Sequence, residues 1–138
     1  MNRVHRGVLA LSGGRFGWRV SGMPALELTT TGRRSGRPHT VMLTSPVQEG
    51  DAVVIVASRG GDDHHPSWFL NLRDHPEVQV SLAGGPKRPM RARVASPEER
   101  ARLWPEVTER ASNYAGYQRR TSRQIPLVVL EPSGGTSP

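Results

Sequence analysis

The stretch that decides the fold is Glu77 to Ala95, "EVQVSLAGGPKRPMRARVA". Apolar residues alternate at Val78, Val80 and Leu82, then again at Met90, Ala92 and Val94, and the turn "AGGPK" (83–87) between the two runs contains two glycines and a proline. A period of two on both sides of a turn predicts an antiparallel hairpin with one face packed inward. Working outward, "ALELTTT" (25–31), "TVMLTSPV" (40–47), "AVVIVAS" (52–58) and "IPLVVLEP" (125–132) also read as strands, and the "QEGD" turn before Ala52 predicts a second hairpin.

Helical signals are fewer. Ser96-Pro97-Glu98-Glu99 combines an N-cap serine, proline at the first helical position and glutamate three residues after the cap, which predicts a helix start. Leu103, Trp104 and Val107 give that helix an apolar face, with Pro105 expected to kink it or begin a new turn. A short helix is expected around Pro66 to Arg73, with Asp62-Asp63-His64-His65 as its cap, and one more helix can precede the last strand. About six short strands and few helices, with no βαβ alternation, predict a mainly β (α+β) chain whose antiparallel sheet closes or half-closes into a barrel.

The chain has 138 residues, and we divide it into a basic N-terminal segment (1–20), one barrel domain (21–132) and a frayed tail (133–138). Within the first segment, residues 2–11 carry Val4, Val8 and Leu11 at helical spacing with arginines between them, a pattern that suits either packing on its own domain or lying on a membrane surface. Its apolar run is too short for a signal peptide or a membrane span, so a cytoplasmic protein, with peripheral membrane association as the one other option, is expected. No cysteine is present, which excludes disulfides, thiolate metal sites and cysteine nucleophiles.

The net charge is +7, and Lys87 is the only lysine among 19 basic residues. Guanidinium groups grip phosphate or carboxylate with paired hydrogen bonds, so a polyanionic partner is indicated. Nucleic acid is disfavoured, because aromatic residues amount to 5% and do not interleave with basic strands. The loop "TTTGRRSGRP" (29–38) offers Arg33, Arg34, Arg37, the Ser35 hydroxyl and turn-forming Gly32 and Gly36 as an anion site, although it lacks the spacing of a phosphate-binding Walker loop. A second loop, "SRGGDDHHPSWFLNL" (58–72), brings Ser58, Arg59, Gly60 and Gly61 to a strand end, followed by Trp68 and Phe69, and could take a flat ring. A metal site at Asp62–His65 is rejected for want of ligand spacing, and no GxSxG elbow supports a hydrolase. Tyr114 and Tyr117, three apart, are expected on one helical face, where their phenols could cover a substrate or give it a proton.

Taken together, "MNRVHRG", "LTTTGRRSGRP", "VASRGGDDHHPSWFLNLRDHPEVQV" and "YAGYQRRTSRQIPLVVLEP" resemble, in that order and over nearly the whole chain, the deazaflavin (F420)-dependent nitroreductase family. The resemblance implies a split β-barrel that uses coenzyme F420, an 8-hydroxy-5-deazaflavin with a phosphate and oligoglutamate tail. It implies hydride transfer from reduced coenzyme to a small acceptor such as a quinone, an enone or a nitro compound. By motif, Arg33, Arg34 and Ser35 would hold the phosphate, with His39 where the family often has another arginine. Ser58, Arg59, Gly60 and Gly61 would line the tail and ring edge, and Pro66, Trp68, Phe69 and Asn71 would flank the ring. Tyr117, Tyr114 and Ser58 are the candidates for catalysis, Tyr117 first. A homodimer is compatible with these motifs, and an FMN-binding split barrel or a basic nucleic-acid-binding barrel are the alternatives.

Overall fold

The computed structural model describes residues 19–20 and 22–133, so the predicted helix over 2–11 and most of the predicted tail lie outside the described residues. Among the described residues eight strands and three α-helices follow one another: β1 (Arg19–Val20), β2 (Met23–Thr31), β3 (Pro38–Thr44), β4 (Val47–Glu49), β5 (Ala52–Val56), α1 (Ser67–Asp74), β6 (Glu77–Leu82), β7 (Lys87–Val94), α2 (Pro97–Arg110), α3 (Asn113–Arg120) and β8 (Leu127–Pro132), with a 3-10 turn at Arg59–Gly61. All pairings are antiparallel, in the order β1-β2-β6-β7-β8-β5-β4, with β3 on the other side of β2. Both predicted hairpins form, β4–β5 around Gly50 (φ +60°) and β6–β7 around Ala83 and Gly84 (φ +53° and +80°).

The expected strand over 40–47 is in fact two. β3 ends at Thr44 and β4 starts at Val47, and these strands lie at opposite ends of the curled sheet. Fully buried Ser45 sits in the seam: its amide donates to Pro24 O (3.0 Å) and its hydroxyl reaches Val47 O (2.9 Å) and Val54 O (2.7 Å). One residue therefore ties the β2 side of the sheet to the β4–β5 side, and the barrel is half-closed.

Burial explains the sequence pattern. Leu26, Leu28, Val78, Val80, Met90 and Ala92 fill the barrel interior, joined by Trp68, Phe69 and Leu72 from α1. β5 and β8 read as continuous apolar runs because both of their faces are covered. Val53, Ile55, Val128 and Leu130 face the barrel, while Val54, Val56, Leu127 and Val129 pack with Leu103 and Val107 of α2. Val94, expected inside with Met90 and Ala92, is 43% exposed, as β7 ends there and the chain leaves for α2.

The α2 cap forms as read: Ser96 Oγ accepts from the Glu99 amide (3.2 Å), with Pro97 in the first turn. Pro105 does not end the helix, which runs through it for 14 residues. Proline removes the bond to the carbonyl four residues back, and Ala101, which bears that carbonyl, is exposed to water. The Asp62–His65 run does not cap α1, whose N-cap is Pro66 without a side-chain bond. Instead Asp62 Oδ1 accepts from the His64 amide (3.1 Å), and Asp63 Oδ1 accepts from Thr121 Oγ1 (2.6 Å).

Candidate functional site

Strand pairing brings the two glycine-containing loops near each other. The 32–37 turn closes through Gly32 N to Arg37 O (2.8 Å) and Gly36 N to Gly32 O (2.9 Å), with Gly36 at φ +72°. Ser35 Oγ accepts from the Arg37 amide (3.1 Å) and lies 3.5 Å from His39 Nε2. Buried Asn71 of α1 fixes this turn to the barrel: its Oδ1 accepts from the Arg33 amide (3.1 Å) and guanidinium (2.9 Å), and its Nδ2 donates to Thr30 Oγ1 (3.2 Å).

These groups surround a cavity of about 490 Å³ lined by Arg33, Arg34, Ser35, His39, Thr40, Ser67, Trp68 and Asn71, together with Gly32 and Val41. Arginines and hydroxyls line it, and among the described residues no carboxylate does. The first turn of α1 contributes Ser67 and Trp68 without a side-chain cap, so the helix adds its own positive end.

A second cavity, of about 530 Å³, begins on the other side of Trp68. β3 borders both, the first through His39, Thr40 and Val41 and the second through Met42, Leu43 and Thr44. The second cavity's walls are Ala25, Met42, Leu43, Val56, Pro66 and Trp68, with Thr44, Ser58, Arg59, Asn113, Tyr114 and Tyr117 as polar groups. The donor set at one end and the apolar slot at the other fit a ligand with an anionic tail and a flat ring.

Tyr114 and Tyr117 share one face of α3, with ring centroids 5.9 Å apart and edge-to-face. Burial pushes the Tyr114 phenol pKa up, partly offset by a hydrogen bond with Thr44, so the phenol keeps its proton at neutral pH. The guanidinium of Arg120 lies 5.8 Å from the Tyr117 ring. Ser58 is buried, lines the cavity and has no side-chain hydrogen bond among the described residues. Arg59 stands at φ +47°, a left-handed conformation that surroundings must impose on a non-glycine residue.

The structure thus gathers Arg33, Arg34, Ser35, His39 and Asn71 at one end, Ser58, Arg59, Pro66, Tyr114 and Tyr117 at the other, and Trp68 between them. Phe69 and Gly61 are placed differently. Phe69 is 3% exposed and packs inside the barrel with its ring 4.7 Å from that of His65. Gly61, beside Gly60 in the 3-10 turn, lies against α3, and a Cβ there would come within 2.7 Å of Tyr117 O. Sequence reasoning missed Met42, Leu43, Thr44 and Asn113, because only the curl of the sheet and the placing of the start of α3 bring them to the cavity. It also missed Arg123, whose bonds to the 57–65 loop no local pattern announces.

A sequence model of the F420H(2)-dependent quinone reductase family matches residues 1–132. An F420H(2)-dependent quinone reductase of Mycobacterium tuberculosis (strain H37Rv) is 44% identical over 133 residues, spanning 93% of this chain and 87% of its own. A solved F420-H2-dependent reductase superposes with a TM-score of 0.69 at 38% identity, covering 78% of this chain and 94% of the other. A solved domain-swapped dimer superposes with a TM-score of 0.72 at 35% identity, covering 94% and 96%. The fold is accordingly the split barrel, and the chain belongs to the F420H(2)-dependent quinone reductase family.

Proposed function

We infer that the two cavities joined at Trp68 are one groove, with the coenzyme tail at the arginine end and the ring and acceptor at the tyrosine end. The protein is an F420H2-dependent reductase by family; the acceptor we assign is a quinone. The observation that carries the reading is the placing of charge along the groove: Arg33 and Arg34, with no carboxylate among the described lining residues, stand around one cavity, and Pro66, Trp68 and two phenols stand around the other.

Bound reduced F420 supplies a hydride equivalent, which converts a quinone to its quinol with one added proton. Arg33, Arg34 and the Ser35 hydroxyl hold the tail phosphate, and His39 adds a donor beside them. Asn71 keeps Arg33 aimed at the cavity, since both Arg33 donors on it share one buried oxygen. Trp68 and Pro66 give the ring apolar walls, and the Ser58 hydroxyl and Arg59 face its edge. Tyr114 and Tyr117 close the acceptor side and exclude water, and Tyr117 Oη delivers a proton to the acceptor oxygen.

Titration of the protein with oxidised F420, followed by coenzyme and tryptophan emission at two salt concentrations, tests the reading. Tight, salt-sensitive binding that Arg33→Ala with Arg34→Ala weakens and makes less salt-sensitive is expected; unchanged emission, or a preference for FMN, overturns it. The domain-swapped dimer among similar structures supports a homodimer, which sedimentation of the full chain checks. The amphipathic pattern of residues 2–11 supports a peripheral lipid contact, which co-sedimentation with anionic vesicles checks. Among the described residues no helix is long and apolar enough to cross a membrane.

A further inference from the structure

The loop that presents Ser58 and Arg59 to the groove is held by a side chain far along the sequence. Arg123, between α3 and β8, donates through Nε to Asp62 O (2.8 Å) and through its terminal nitrogens to Ala57 O (3.2 Å) and Ser58 O (2.8 Å). One of those terminal nitrogens also lies 3.1 Å from His65 Nδ1. Its amide donates to Thr121 Oγ1 (3.2 Å), the same hydroxyl that donates to Asp63. One planar guanidinium therefore anchors the loop before and after Arg59, the residue held at φ +47°. Arg123 itself lines neither cavity.

We propose that Arg123 is the positioning residue for the ring end of the groove, setting the backbone from which Ser58 and Arg59 reach the ligand, and that it holds this loop fully only while His65 is neutral. The proposal rests on the groove being the coenzyme site. Arg123 has only donors, so His65 Nδ1 must be the acceptor, and protonating it turns an acceptor into a second cation.

Arg73 of α1 approaches the pair from one side, with its guanidinium over Phe69 (5.6 Å), and Arg59, Asp62 and Asp63 of the loop act on Arg123. His64 turns instead to Asp62 (3.3 Å). Burial first, then Arg123 and Arg73, hold His65 below the ordinary histidine range. A folded pKa lower than the unfolded one means that the neutral imidazole contributes stability above pH ~6.5 that is lost as pH falls toward the folded value. In that window the closed loop loses stability relative to the open one, and the contact itself breaks once pH falls through the folded value.

The test compares wild type, Arg123→Lys and His65→Asn from pH 5.5 to 8, by F420 titration and by amide exchange of residues 57–65 without ligand. Asparagine can offer its oxygen where Nδ1 stands and does not titrate. At pH 8 wild type and His65→Asn should bind alike, and Arg123→Lys, whose one nitrogen cannot span carbonyls that three separate guanidinium nitrogens reach, about tenfold more weakly. As pH falls, wild type should lose affinity relative to His65→Asn, and its loop amides should exchange faster than the variant's. Titration of the coenzyme itself affects both proteins and cancels in the comparison. Superposing wild-type and His65→Asn curves in both measurements overturn the proposal, as does unweakened binding by folded Arg123→Lys. Absence of F420 binding by wild type overturns the groove assignment, and the ligand-free exchange data tell that outcome from a failure of the Arg123–His65 latch.

Discussion

A Cβ on Gly32 would lie 2.6 Å from Ser35 Oγ and 2.7 Å from His39 Nε2. Both are ends of side chains that can rotate away, so the fold survives Gly32→Ala while the paired donors separate. F420 affinity is expected to fall about tenfold, equal to ~1.4 kcal/mol, with the urea midpoint nearly unchanged. Asn71→Ala does the reverse, leaving the Arg33 amide and the buried Thr30 hydroxyl without their partner. A loss of about 1–3 kcal/mol in urea unfolding is expected, with weaker coenzyme binding beside it; a cost below ~0.5 kcal/mol would show that the clamp adds little. At this scale the arginine-rich turn was legible because charge and glycine are local properties. The clamp was not, because Asn71 stands 38 residues from Arg33 and only burial reveals what its amide must satisfy.

Elements follow the same division between local and distant causes. The start of α2 could be read from four residues, since a capping box is satisfied within one turn. Its continuation through Pro105 could not, because tolerance depends on the Ala101 carbonyl reaching solvent. Pro105→Ala restores that hydrogen bond on an exposed face, and about 1–3 kcal/mol of added stability is expected in thermal unfolding, with unchanged turnover. The break between β3 and β4 falls at Ser45-Pro46, where proline cannot donate to a strand ladder, but that the two strands end on opposite sides of the sheet follows only from its closure. α3 was expected only as one possible further helix, and its two tyrosines show why: they pack beside the Leu103–Val107 cluster from partly exposed positions, giving a weak apolar stripe.

For the molecule as a whole, the mainly β character was legible from periodicity, whereas the strand order was not. β2 pairs with β6 and β5 with β8, partners that a chain read in sequence does not reveal. Ser45 bears on this closure, and Ser45→Ala is expected to cost about 1–3 kcal/mol by leaving buried carbonyls of Val47 and Val54 without its hydroxyl. Chemical denaturation at constant pH measures it. The surplus of positive charge acts at the same scale, and raising salt from 0.05 to 0.5 M, which shortens screening from over 10 Å to below 5 Å, should weaken F420 binding several-fold.

The larger cavity lies where β3 and β5 part company, with Met42, Leu43 and Thr44 on one margin and Val56 and Ser58 on the other. A molecule lodged in that slit touches both lips of a rolled ribbon and works as a clasp. Loading it should therefore slow deuterium uptake along β3 and β5 far more than in the β6–β7 hairpin, so that the ligand a cell supplies becomes part of what keeps the ribbon rolled.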